Sequence, residues 1–235
     1  MSFIIAIHVS DGIVFASDSR LTYTTTNTDD KGNKTVEVGV HFTDSTPKTF
    51  VTHSNVGISY SGSSSIKNKP ITGFIERFIE ENRDKNVDEL KDLIIPFFSG
   101  LQNDLNTTFT IGGYVVENGK LKQRLYQINT QANCIQTINV KDQGAVWSGE
   151  IDIMSRIINP VYIKKDDDTY ELISQNAILW QYFTLQDAVD FARYAVKTTI
   201  DTMRFQSRVK TVGGPIDILV VKPTEAIWIE KRQLH

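Results

Sequence analysis

Two features near the N-terminus ask for chemistry that an ordinary strand does not need. A small hydroxyl residue, Ser2, stands directly behind Met1, and Asp18-Ser19-Arg20 closes a run that is otherwise apolar. A serine hydroxyl is a poor nucleophile until a base takes its proton. A carboxylate at the end of a buried strand needs a cation or several N–H donors around it. The element that must position both is a hairpin: Met1 to Val9 is nearly continuous apolar sequence, Ser10-Asp11-Gly12 is a tight turn, and Ile13 to Ser17 is a returning strand. Asp-Gly between two β-branched runs is a strong hairpin signal, because glycine accepts the positive φ that such a turn demands.

The stretch from Asp11 to Arg20 resembles the opening hairpin of proteasome β-subunits and their bacterial relatives, in which a mature N-terminal Thr begins the first strand and the second carries an Asp, a small residue and Arg. Counting back from Asp18 places Ser2 at the nucleophile, exposed by removal of Met1 with no propeptide required. The resemblance extends to four more stations. Lys48, in Pro47-Lys48-Thr49-Phe50, stands where the family has its catalytic Lys. Gly62, fourteen residues on, stands where a backbone N–H binds the oxyanion. Ser148-Gly149 resembles the Ser-Gly that supports the nucleophile's amine, and Thr211 to Ile216 the Gly-Gly turn into the penultimate strand.

By this resemblance Ser2 supplies nucleophile and base together, since a terminal α-amine has a reference pKa of about 7.7–8.0. Lys48 lowers that pKa by like-charge repulsion, Asp18 pairs with Lys48, and the Gly62 N–H meets the developing oxyanion. The chain departs from the family in three places. Ser replaces Thr at the nucleophile, the segment between Asp18 and Lys48 is longer than usual, and Arg208-Val209-Lys210 stands where a carboxylate is usual ahead of the Gly-Gly turn. Taken singly, Asp18-Ser19-Arg20 reads as a strand end with a surface ion pair, Lys48 as a solvated strand terminus, and Ser148-Gly149 as an N-cap and turn. Five stations in order and near the family's spacing favour the site.

Composition sets the frame. With 235 residues, 40% of them hydrophobic, the chain can bury one substantial core, and a single domain over 1–235 is the expectation. The net charge of -3 gives no basic footprint for nucleic acid or anionic lipid. The N-terminal apolar run is too short for a bilayer and is interrupted by Asp11-Gly12, so no membrane partner and a cytoplasmic location are expected. Cys134 is the one cysteine, read as inert core within a strand. No Cys/His spacing suggests zinc, and no cofactor is implied. His8 reads as a satisfied core or interface side chain; His41, His53 and His235 have no partner spacing.

The rest of the chain supplies the scaffold. Residues 22–46 read as a long exposed loop or solvated hairpin, and Lys48 to His53 with Val56 to Tyr60 as another hairpin. Apolar residues at three- and four-residue spacing from Ile71 to Ile79 make an amphipathic helix. A second helix, started by Asn86 or Asp88, carries its stripe to Leu105, with Pro96 expected to kink or interrupt it. Strands return over 107–116 and 121–129, followed by 134–140 and 144–147 continuing the same sheet. A short helix follows over 151–158, and residues 161–183 give no clear pattern. Thr184 caps the clearest helix, and residues 216–221 and 226–230 form a closing hairpin. This order is the one expected of an α+β, four-layer αββα sandwich.

By resemblance the expected activity is that of a Ser-dependent N-terminal-nucleophile peptidase or amidase, assembled as a homo-oligomeric ring or spiral. The alternative is a catalytically silent ring-forming scaffold on the same fold.

Overall fold

Alternation along the first hairpin decides which way each side chain faces. Successive strand residues point to opposite faces. In strand β1 (Phe3–Val9), Phe3, Ile5, Ile7 and Val9 pack in one core cluster while Ala6 packs in another. Strand β2 (Gly12–Ser17) divides likewise, Val14 and Ala16 to the first cluster and Ile13 and Phe15 to the second. Ser2 has the parity of Ala6. The computed structural model describes residues 2–29 and 31–232; Met1 and His235 lie outside them.

Two hairpins follow in sequence. Among the described residues, strands β3 (Leu21–Thr28) and β4 (Lys34–Thr43) pair only with each other, which is the hairpin alternative for residues 22–46. Strands β5 (Thr49–Val51) and β6 (Gly57–Gly62) pair around a turn in which Asn55 takes a left-handed φ of 59°. A small hairpin, β7 (Ser65–Ile66) and β8 (Lys69–Pro70), leads into helix α1 (Ile71–Glu81).

Helix α2 (Val87–Leu101) starts at Asn86, whose side chain accepts from the Asp88 and Glu89 N–H groups in a capping box with Glu89. Pro96 does not interrupt it. Pro96 and Asp92 are both exposed and one turn apart, so the carbonyl that the proline leaves without an N–H faces water. The helix stops at Leu101, so Leu105 is buried beyond its end and is not part of the helical stripe.

Strands β9 (Thr107–Glu117) and β10 (Lys120–Asn129) turn through Asn118-Gly119, both at positive φ. Strand β11 (Cys134–Thr137) joins β10 at the sheet edge, whereas β12 (Gly144–Gly149) crosses to the other sheet and pairs with β1. The expectation that both continue one sheet is therefore corrected. So is that for Cys134, which is exposed because β11 is an edge strand with an open face.

Helix α3 (Asp152–Ile158) and a second outlying hairpin, β13 (Tyr162–Lys164) with β14 (Tyr170–Leu172), precede helix α4 (Leu185–Phe205). Thr184 and Asp187 form the capping box of α4. Strands β15 (Asp217–Val221) and β16 (Ala226–Glu230) close the chain.

Two five-stranded antiparallel sheets result, in the orders β12-β1-β2-β15-β16 and β11-β10-β9-β6-β5. Helix α4 packs on β1, β2 and β15, and α3 packs on α4; α2 packs on β9 and β10. Between the sheets Phe15 is fully buried, which contributes about 1.5–3 kcal/mol relative to an exposed ring. The opposite sheet makes room for it with Gly57 and Gly112, where a Cβ would come within 2.5 and 3.0 Å of the ring. Three buried hydroxyls link the sheets near this point: Ser17 to Thr49 at 2.8 Å and Thr49 to Ser59 at 2.9 Å. His8 is buried with Nδ1 unpartnered among the described residues, so it is not a satisfied core histidine, and desolvation lowers its pKa. His53, by contrast, meets Glu80 at 3.3 Å on the surface. No helix among the described residues is long and apolar enough to cross a membrane.

Candidate active site

The turn after β2 concentrates donors on one carboxylate. Asp18 is fully buried. Its Oδ1 accepts from the Phe3 N–H at 3.1 Å and from Lys48 Nζ at 2.8 Å. Its Oδ2 accepts from the Arg20 N–H at 3.1 Å, the Gly213 N–H at 3.1 Å and Lys48 Nζ at 2.9 Å. One oxygen thus joins the Lys48 ammonium to the peptide group immediately after Ser2.

Lys48 is the reverse of a solvated strand terminus. It is 2% exposed, and its third hydrogen bond goes to the Arg20 carbonyl at 2.6 Å. Desolvation pulls its pKa below the ordinary lysine value, against the opposing pull of Asp18, and the positive charge of Arg232 adds to the lowering. A buried pair of this kind is costly to desolvate and costly to break, which makes it a candidate functional group.

The surface ion pair expected of Asp18-Ser19-Arg20 does not form. Asp18 is taken by Lys48, and Arg20 instead makes a bidentate pair with Asp44, both contacts at 2.7 Å, with its guanidinium 4.1 Å above the Phe42 ring. That hydrogen-bonded pairing raises the Arg20 pKa. Ser19 donates to the Pro215 carbonyl at 2.6 Å, and its N–H to the Gly213 carbonyl at 3.0 Å. The triplet therefore ties the ends of the β3–β4 hairpin and the Gly213-Gly214 turn around Asp18.

Ser2 is 4% exposed, and its carbonyl accepts from the Glu150 N–H at 2.7 Å. Ser148 lies inside β12, opposite Ile4, and the N-cap of α3 is Ile151, so Ser148 is not a helix cap. Ser61 donates to Ser148 at 2.8 Å, bridging the two sheets beside Ser2. Gly62 follows at φ 110°. The structure thus brings Ser2, Asp18, Lys48, Ser148 and Gly62 to one end of the two sheets.

Gly149 is held at φ 92°, and a Cβ there would land on the Ser2 carbonyl. Gly149→Ala is expected to lower the Tm by roughly 5 °C or more, since such backbone strain alone costs about 1–3 kcal/mol. Gly73→Ala, on the exposed face of α1 with nothing within 4 Å, is expected to be neutral or to stabilise by up to about 1 kcal/mol. Thermal melts of the two variants check the contrast. Equal melts would mean that the Ser2–Gly149 approach relaxes freely.

Ser61 and Glu150 were not legible as site residues. Glu150 accepts from Thr211 Oγ1 at 2.9 Å and lies 3.7 Å from Arg208, which also pairs with Asp152 at 3.2 Å. The carboxylates near the Gly-Gly turn thus come from the start of α3, not from the turn's own segment. Alternation could have found Ser61: Ser59 and Ser61 share a face of β6 while Ile58 and Tyr60 face the helices. Nothing in sequence spacing could have paired Glu150 with Thr211, 61 residues away. Among the described residues no group of His, Cys, Asp and Glu is arranged to hold a metal ion.

No family model matches the sequence, and no curated protein matches it. Among solved structures the chain is similar to a mutant of Anbu from Hyphomicrobium sp. strain MC1, with a TM-score of 0.62 over 97% of this chain and 87% of that one. The fold is a mixed α+β, proteasome-like one. At 15% identity the likeness to Anbu shows the architecture alone, and the assignment of chemistry rests on the residues around Asp18.

Proposed function

We propose that the chain is a proteasome-like N-terminal-nucleophile hydrolase of the four-layer αββα type, cleaving a peptide or another amide with Ser2 after loss of Met1. The observation that carries this reading is the buried Lys48–Asp18 pair, whose carboxylate also holds the Phe3 N–H. A cation kept dry beside the start of a chain lowers the pKa of a terminal amine and stabilises an attacking oxygen. Ser2 attacks the amide carbon, its proton passes to its own α-amine, and the amine passes that proton to the leaving nitrogen. Water then attacks the ester carbon; the same amine takes the water proton and returns it to the departing Ser2 oxygen, restoring hydroxyl and neutral amine as the acid leaves. The Gly62 N–H faces the oxyanion in this scheme, and the Ser61–Ser148 hydroxyls hold the amine's side of the site. Assembly into a homo-oligomeric ring or spiral follows from the resemblance.

The test is an intact-mass spectrum of full-length protein before and after treatment with a peptide carrying an electrophilic terminus. The expected result is a chain lacking Met1 that gains one probe mass at Ser2. Retained Met1, or no adduct at Ser2, would leave the silent scaffold as the better description.

A further inference from the structure

We propose that the cleft beside Ser2 receives a neutral, hydrogen-bonding side chain of the substrate, such as that of Gln, Asn, Ser or Thr, in preference to a charged or large apolar one. The inference rests on the hydrolase reading above and adds the substrate class to it. A cleft of about 530 Å³ opens at this end of the sheets. Its two walls start one residue from the site. Leu21 follows Arg20, whose carbonyl holds Lys48 Nζ, and Gly62 follows Ser61, whose hydroxyl holds Ser148. A substrate carbonyl placed over Ser2 and Gly62 therefore has its neighbouring side chain at the mouth of this cleft.

The lining carries no charge and is mostly polar, with Leu21, Tyr23 and Pro70 beside the hydroxyl and carboxamide groups. Thr22, Ser63, Ser64, Ser65, Asn68 and Gln102 supply hydroxyls and carboxamides, and no carboxylate, ammonium, guanidinium or imidazole group lines the cleft among the described residues. Thr22 Oγ1 is buried at this wall with no hydrogen-bond partner among the described residues. Gln102 is oriented by its own contact: Oε1 accepts from the Lys67 N–H at 3.2 Å, which turns its NH₂ group to other acceptors. A charged substrate group entering here loses hydration and meets no counter-charge. An apolar group leaves the hydroxyls and amides unpaired, and sites built to hydrogen-bond a substrate group reject analogues lacking it. A carboxamide or hydroxyl meets both donors and acceptors.

The test uses full-length protein that has lost Met1 and a set of short peptide vinyl sulfones differing only in the side chain next to the electrophile: Gln, Ser, Lys, Glu and Leu. The Gln and Ser probes are expected to label Ser2 at least about tenfold faster than the other three. Ser64→Asp and, separately, Ser65→Asp are expected to raise the Lys probe relative to Gln in at least one variant, by placing a counter-charge on the wall. If Leu or Lys labels Ser2 as fast as Gln, or both Asp variants keep the original profile, the inference is overturned while the hydrolase reading stands. If no probe labels Ser2, both fall together.

Discussion

Ser2→Ala is expected to abolish amide hydrolysis while leaving the fold in place. Loss of a covalent nucleophile in hydrolases that attack through serine costs on the order of 10⁴–10⁶ in turnover, because the rest of the machinery then has no atom to deliver. The stability cost should be small, within about 1 kcal/mol, since what fixes residue 2 is its backbone: the carbonyl accepts from Glu150 and the next N–H binds Asp18. Ser2→Thr separates nucleophile chemistry from side-chain shape. It keeps the hydroxyl and adds a methyl that restrains χ1, so it should retain activity. Peptide cleavage measured with a thermal melt of each variant reads both quantities. An alanine variant that melts normally and cleaves as fast as the parent would remove Ser2 from the chemistry and with it the proposed function.

How much of this was legible in the sequence varies with the range of the interaction involved. The opening hairpin, α1, the two capping boxes at Asn86 and Thr184 and the Asn118-Gly119 turn are local. Each follows from apolar period or turn chemistry within a few residues. The sheet to which a strand belongs is a long-range matter. β11 and β12 are close in sequence but pair with β10 and β1 respectively, because a loop of a few residues suffices to cross between the facing sheets. Cys134 is exposed rather than core for the same reason, since the residue pattern does not show that β11 is an edge.

At the site, Ser2, Asp18, Lys48, Gly62 and Ser148 came from resemblance; taken singly, Asp18 and Lys48 read as surface charges and Ser148 as an N-cap. Burial is what the sequence could not give: Lys48 becomes a dry cation only because Asp18, the Arg20 carbonyl and the two sheet ends close around it. Arg20 shows the converse. Its neighbour in sequence, Asp18, is the obvious partner, yet Asp44 takes it because Asp18 is already saturated.

That saturation sets the order of effects expected at the buried pair. Lys48→Met should lower turnover by about a hundredfold or more, by removing the charge that favours the neutral amine and the attacking oxygen. It should cost less stability than the roughly 3–5 kcal/mol typical of breaking a buried pair, because Asp18 keeps three backbone N–H donors, from Phe3, Arg20 and Gly213. Asp18→Asn should be the more damaging to structure. Its NH₂ group must replace one of two oxygens that each accept at least one backbone N–H, so a buried donor loses its acceptor whichever way the amide turns.

The pH profile separates a catalytic Lys48 from a merely structural one. In the proposed mechanism activity needs the neutral amine, so the rate is expected to rise with pH through that group's pKa. In that mechanism Lys48⁺ lowers this pKa by repulsion, and Lys48→Met should therefore move the acidic limb to higher pH, toward the unperturbed value of about 7.7–8.0. In the parent, activity should also fall as Lys48 loses its proton, at a pH below the ordinary lysine value of 10.5 because burial lowers that pKa. The variant should lose that alkaline limb altogether. A Lys48→Met enzyme with both limbs unmoved would show the ammonium to be scaffolding for Asp18, and the proton would then have to leave the Ser2 hydroxyl by a route that does not feel the charge 2.8 Å from that carboxylate.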